Sequence, residues 1–350
     1  MSYKIKIFDD IHNADLKEAW IKLQQEHNTF PQMYYEWIEP WVRLRFGKRK
    51  LHIVTVTTKD QIIAIAPFCI ENIYLLNVLR SIPIHFGDFY YPIIENEREV
   101  FQLFIEYFKS YKKWNIVELN QVNSDSKFGK LLTESYYPSI KLSNIIYTKT
   151  DYPNFEIFLK SISTKQRKEY RRRLKRLKEL DEVKLVSINS KKDFLMHETQ
   201  MKNVYLDRWG YQENENIFEV FLSRREAYGN CLDKKVAKGF LLFIGNELAA
   251  YRLGFIDENI FTSWKLVYNL KYSKYGIGHI ISILVIENLI RSKIKKINNG
   301  VGDYSYKLKW FESKIENSNY SYFLSKNIFS KSYIFYKKEI KPFLKKKLKK

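Results

Sequence analysis

The chain is poor in the residues that lock small folds or hold metals. Only two of its 350 residues are cysteine, Cys69 and Cys231. Two thiols cannot build a disulfide framework and lack metal-site spacing, so no metal is expected and a reducing, cytoplasmic compartment is. Uninterrupted apolar runs are absent as well. Pro67, Glu71 and Asn72 break residues 62–79, and His279, Glu287 and Asn288 break 277–290, so neither stretch reads as a membrane span. Asp9 and Asp10 stand where a signal peptide would need apolar residues. Glycine is scarce at 12 residues, yet Gly276, Gly278, Gly300 and Gly302 fall in one short window. Such clustering implies a backbone shaped around something.

Acidic residues are also in deficit. Sixty Lys and Arg against 39 Asp and Glu give a net charge of +21. That charge calls for an anionic partner: nucleic acid, an acidic membrane surface or a phosphate-rich small molecule. Apolar material is ample, with 45% hydrophobic and 16% aromatic residues, which excludes general disorder. The length exceeds that of a usual single core and predicts two domains.

The two halves share a rhythm. LHIVTVTTKDQIIAIAPF (51–68) and FLLFIGNELAAYRLGF (240–255) each read as a β-hairpin. A helix over 97–110 and the strand WNIVEL (114–119) follow the first, and a helix over 278–292 and KKINNGVG (295–302) follow the second. This order predicts a mixed α/β fold, two α/β domains in tandem joined by a basic helix. The expected divisions are 1–150, a basic helix at 151–181, 182–332, and a basic amphipathic tail at 333–350.

The joining segment, ISTKQRKEYRRRLKRLKEL (162–180), opens with Ser163 and Gln166 in capping-box spacing. Tyr170, Leu174 and Leu177 form one apolar stripe, and nine Lys or Arg side chains cover the rest. Two readings stand here, a solvated linker helix and an anion-docking face on which only Tyr170 is available for base stacking. The tail is read as a peripheral contact with anionic membrane or as a solubilising extension.

Chemistry concentrates at the glycine window. SKYGIGHIISILVIENLI follows the strand FTSWKLV and sets a G-x-G step before a helix, where amides free of Cβ atoms can bind a pyrophosphate. YLDRWGYQ (205–212), ELAAYRLGF (247–255), the Gly276 and Gly278 loop and GDYSYKLKW (302–310) together resemble the GNAT superfamily, in particular the CelD/BcsL-like branch of polysaccharide biosynthesis, related to Fem-type aminoacyl transferases. The resemblance spans nearly the whole chain. It implies tandem GNAT-like domains of which only the second keeps a cofactor loop, with HFGDFYYP (85–92) in the first shaping an acceptor cleft.

The resemblance further implies an acyltransferase moving an acyl group from acetyl-CoA, or another acyl-CoA, to the amine of a nucleotide- or lipid-linked sugar. The alternatives are aminoacyl transfer from tRNA and a non-catalytic accessory role beside a polysaccharide synthase. By the same resemblance Asp303, Tyr306 and Lys307 are the catalytic candidates. Ala250, Arg252, Lys274, Gly276, Ile277, Gly278 and His279 are the cofactor candidates, and Trp209, Tyr304 and Trp310 those for the phosphorylated sugar acceptor. One departure from the family loop is Ser273, where Gln or Arg is usual; Lys271 and Lys274 stand close by to supply charge.

Overall fold

The two alternating segments form antiparallel hairpins, and each lies at the centre of one of two units. The computed structural model describes residues 3–27, 29–45, 47–73, 75–82, 93–94, 98–110, 113–209, 217–301, 313–325 and 328–340. The chain divides into Met1–Ser143 with Asn317–Lys350, and Asn144–Glu316.

The first unit runs β1 (Lys4–Phe8), α1 (Ala14–Glu26), α2 (Tyr35–Arg45), β2 (Lys50–Thr58), β3 (Gln61–Ile73), β4 (Leu76–Ser81), β5 (Ile93–Ile94), α3 (Arg98–Lys109), β6 (Ile116–Asn123) and α4 (Lys127–Glu134). Its strands lie in the order β1-β2-β3-β4-β6. Lys59 and Asp60 both adopt positive φ at the β2–β3 turn, the twist that a two-residue hairpin requires. Strands β4 and β6 are parallel, so the chain must cross over between them, and it does so through α3. That helix buries Val100, Phe101, Phe104, Ile105 and Phe108, one apolar face at helical spacing.

The second unit runs β7 (Ser139–Lys149), α5 (Phe155–Ser161), α6 (Thr164–Lys178), β8 (Val183–Ile188), α7 (Lys191–Met196), α8 (Glu198–Trp209), α9 (Ile217–Asp233), β9 (Ala237–Ile244), β10 (Glu247–Asp257), β11 (Ile260–Tyr268), a 3₁₀ turn (Leu270–Tyr275), α10 (Ile277–Arg291) and β12 (Lys296–Val301). Its order is β7-β12-β11-β10-β9-β8. Pairing is antiparallel from β8 to β11 and parallel between β11 and β12. The same sequence of hairpin, parallel pair and crossover helix thus occurs twice.

Helix α10 is buried almost all round, through Ile277, Ile280, Ile281, Ile283, Val285, Ile286 and Leu289 among others, as a helix lacking a polar face must be. It shares a core with Phe158 of α5 and with Tyr170 and Leu177 of α6. The basic helix therefore packs into the second unit by the apolar stripe of its sequence. The burial of Tyr170, 6% exposed, removes the one side chain offered there for base stacking. On the other face of the sheet, α8 packs on β10 and β11, and α9 on β9.

A strand from the far end of the chain completes the first unit. β13 (Ser313–Ser325) pairs antiparallel with β6 through Asn319 to Ser325. A helix (Ile328–Phe335) follows and carries Tyr333 into a core with Val78, Ile116 and Phe323. Beneath it lies Glu118, 1% exposed. The Glu118 carboxylate accepts from Tyr333 Oη at 3.1 Å and Lys337 Nζ at 2.5 Å, and faces Arg80 Nε at 3.3 Å. Arg80 also pairs with Glu71. Residues 333–337 are accordingly part of this unit's packing, while the lysine-rich stretch 341–350 lies outside the described residues. Among the described residues no helix is long and apolar enough to cross a membrane.

Burial opposes ionisation of Glu118, but the Arg80 and Lys337 charges and the hydrogen bonds outweigh it and hold the carboxyl below its ordinary range. Stability from this group is therefore full above the unfolded pKa and lost as pH falls through the lower folded value. Glu118→Gln removes the buried negative charge that Arg80 and Lys337 share and should destabilise the first unit by about 3–5 kcal/mol. Denaturant unfolding at pH 7 checks the value, and the deficit should shrink in acid.

Candidate active site

Two parallel strands that begin together and then part create the opening in the second unit. β11 and β12 pair only at Ile260–Lys296, Phe261–Ile297 and Thr262–Asn298, although β11 continues to Tyr268. Beyond Thr262, β11 is paired with β10 on one edge alone among the described residues. Gly300 turns β12 away with φ +68°, and a Cβ there would lie 2.8 Å from the Ser263 carbonyl oxygen. Only glycine suits both demands.

Arg252 spans the parting strands. Its Nε donates to Ser263 Oγ at 3.1 Å on β11, and its Nη2 donates to Asn299 Oδ1 at 3.1 Å on β12. Asn299 in turn donates through Nδ2 to the Ile146 carbonyl and to Thr148 Oγ1 on β7. Arg252 is 4% exposed, so its guanidinium works as a buried strut across the opening.

The loop from β11 into α10 lies next along the chain. Gly276 caps α10 in the left-handed region, φ 67° and ψ 40°. A Cβ on it would come within 1.9 Å of Arg173 Nη1, so the arginine from α6 lies directly against the helix start. The first helical amides, those of Ile277 and Gly278, have no intrahelical acceptor by geometry. Gly278 differs from Gly276, because among the described residues a Cβ there would meet only the Tyr268 ring, at 3.5 Å. Packing within the protein does not require glycine at 278. The free space, the helix amides and the adjoining guanidinium together fit a phosphate-bearing group.

Several cations of α6 have local tasks. Ser163 and Gln166 form the capping box. Arg167 Nη1 donates to the carbonyls of Leu159, Lys160 and Ile162, closing the end of α5. Arg172 and Arg173 both pair with Glu169, and their hydrogen bonds pull its carboxyl down to about 2. Arg176 and Lys274 lie on the Tyr275 ring at 5.1 and 5.2 Å. Lys271 is engaged by Glu247, whose carboxylate also accepts from Tyr272 Oη at 2.7 Å. Lys165, Lys168, Arg171, Lys175 and Lys178 face solvent.

Of the cofactor candidates, Lys274, Gly276, Ile277, Gly278 and His279 gather at the α10 start, and Arg252 sits at the parting strands. Ala250 is fully buried and paired on both sides, with Leu242 and Tyr268. The strand that parts from β12 is β11, not the one that carries Ala250. His279 is driven down to about 4, by burial first and the Arg173 charge second, so it meets an anion at pH 7 as a neutral imidazole. Trp209 ends α8; its side chain lies outside the described residues, as do Gly302, Asp303, Tyr304, Tyr306, Lys307 and Trp310, and as does HFGDFYYP in the first unit. Sequence reasoning missed Ser263, Asn299 and Arg173. The first two become partners only through the sheet register, and Arg173 was one of nine similar charges.

These features are those of a fold with known relatives. Residues 164–308 match the family model of the acetyltransferase (GNAT) domain. That match begins at the first residue of the basic helix. FemX has a similar structure, with a TM-score of 0.60 at 10% identity over 93% of this chain and 98% of that one. L-PGS from Bacillus licheniformis gives 0.58 at 14% identity over 92% and 95%. A tandem GNAT protein from the clavulanic acid biosynthesis pathway gives 0.51 at 7% identity over 93% and 98%. At such identities the likeness establishes a tandem GNAT fold and nothing finer. No curated protein matches the chain. A GNAT acetyltransferase domain implies an acyl-donor co-substrate.

The two loop glycines should respond differently to the same change. Gly276→Ala forces a left-handed alanine against Arg173 and should cost about 1–2 kcal/mol or more; Gly278→Ala should stay within about 0.5 kcal/mol. Thermal unfolding of the two variants checks this. Acidification from pH 6.5 towards 4 should also weaken the unit, because His279 takes up its proton in the unfolded chain before the folded one.

Proposed function

We propose that the chain is an acyl-CoA-dependent N-acyltransferase of the CelD/BcsL-like branch, acting on the amine of a nucleotide- or lipid-linked sugar in surface polysaccharide biosynthesis. The observation that carries this reading is the space at Gly278 beside free helix amides, next to a strand edge that opens after Thr262. When bound, acetyl-CoA would supply an activated carbonyl. The amides of Ile277 and Gly278, with Arg173 alongside, hold the phosphates, and β11, where it parts from β12, aligns the acyl arm.

Three residues of the 302–310 motif complete the reading. Asp303 takes the proton that the acceptor amine loses, Tyr306 supplies one to the departing thiolate, and Lys307 faces the negative charge that develops on the carbonyl oxygen. Arg252 and Asn299 position the strand that leads into this motif. The +21 charge suits a phosphorylated acceptor and contact with an anionic membrane face.

The five solvent-facing cations of α6 favour a second reading, transfer of an aminoacyl group from tRNA. Thermal stability separates the two. Acetyl-CoA at about 100 times its dissociation constant should add about 2.7 kcal/mol. Gly278→Glu should abolish that gain, and Asp303→Asn should keep the gain while losing turnover. Stabilisation by tRNA alone, fading with salt, would replace the first reading by the second.

A further inference from the structure

The β3–β4 hairpin of the first unit ends in an apolar side chain held out in water, with basic side chains behind it. Asn72 pairs with Asn77 and Ile73 with Leu76, so the turn is the two residues 74 and 75. Leu75 is 95% exposed, more than any other large apolar side chain among the described residues. Placed there, it contributes nothing to the core and keeps its apolar area in contact with solvent.

Behind the turn lies a recess of about 340 Å³ lined by Lys48, Lys50, Ile70, Asn72, Asn77 and Lys113. Three stretches of chain bring the lysines together. Lys48 comes from the turn before β2, Lys50 from β2 opposite Ile70, and Lys113 from the segment between α3 and β6, where the Asn115 amide donates to the Asn77 carbonyl at 2.8 Å. At about 3.4 Å per residue, Asn72 stands about 7 Å from the turn and the Lys50–Ile70 pair about 14 Å.

Nothing acidic balances these charges. Among the described residues no carboxylate pairs with Lys48, Lys50 or Lys113. Glu71 lies between two lining residues in sequence, but the pleat turns it to the other face of the strand, where Arg49 and Arg80 engage it. The chain positions that adjoin the lining residues outside the described set are Phe46, Tyr74, Tyr111 and Lys112, none of them acidic. Like charges brought together without a counter-charge repel, and an anion at the recess would relieve that repulsion.

We infer that this hairpin tip docks the chain on an anionic lipid surface, with Leu75 entering the interface and Lys48, Lys50 and Lys113 taking headgroup phosphates. A soluble phosphate would answer the lysines and leave Leu75 in water; a bilayer answers both, because its phosphates lie just outside the apolar layer that a seated leucine reaches. The inference deepens the proposed function at one point, its membrane contact, and to that extent rests on it.

Co-sedimentation of the full chain with vesicles of phosphatidylcholine containing about one third phosphatidylglycerol tests it. The chain should bind these and not vesicles of phosphatidylcholine alone. Leu75→Ser should weaken binding about tenfold, and joint replacement of Lys48, Lys50 and Lys113 by Gln about a hundredfold, at about fivefold for each lysine. The same replacement at Lys165, Lys168 and Lys175, the rival basic surface on α6, should weaken it less than about threefold. All the side chains changed are exposed, so the variants are expected to fold. Equal losses from the two lysine sets, indifference to Leu75→Ser, or no binding to anionic vesicles would overturn the inference, as would tight binding of inorganic pyrophosphate at the recess without vesicle binding. Acetyl-CoA stabilisation should be unchanged in every variant. If vesicles bind as stated and acetyl-CoA never does, the donor assignment fails and the docking tip stands.

Discussion

Parallel strands stay together only while their backbones can keep exchanging hydrogen bonds, and in the second unit that exchange stops after three residue pairs. Much of what makes this unit chemically interesting depends on that early stop. It places the buried Arg252 where it can tie Ser263 to Asn299, and gives Gly300 a left-handed turn that no other residue would tolerate against the Ser263 carbonyl. The amides of Ile277 and Gly278, which have no intrahelical acceptor, follow on the same chain segment.

The first unit repeats the parallel pair but handles charge differently. Arg80 and Glu118 face each other across β4 and β6 in register, and the chain's C-terminal segment adds Tyr333 and Lys337 to the same carboxylate. Buried charge there is fully engaged in holding structure together. In the second unit Arg173 pairs with Glu169 directly against the start of α10, and Arg252 ties β11 to β12. The repeated architecture thus carries packing in one copy and a chemically equipped opening in the other, in keeping with the rule that function belongs to sites and not to folds.

Much of the fold was legible in the sequence. Alternating apolar residues gave both hairpins, Ser163 and Gln166 gave the start of α6, and Tyr170, Leu174 and Leu177 marked the face by which that helix packs. The G-x-G step marked the start of α10. What local pattern could not carry is pairing over distance. Nothing in the residues of β13 says that they lie beside β6, about two hundred positions earlier, or that Asn299 reaches Thr148. Charge was the least specific signal: nine basic residues on α6 looked alike, yet Arg167 caps a neighbouring helix, Arg173 guards the α10 start, and five face solvent.

The central claim is that one continuous backbone stretch, the part of β11 beyond its pairing with β12 followed by the start of α10, receives the acyl donor. Amide hydrogen exchange of the full chain, with and without acetyl-CoA, tests this most directly. The account predicts that slowed exchange concentrates in residues 263–268 and 276–280, with the core of β8 and β9 unchanged. Protection confined to α6, or absent from both stretches at saturating ligand, would contradict it.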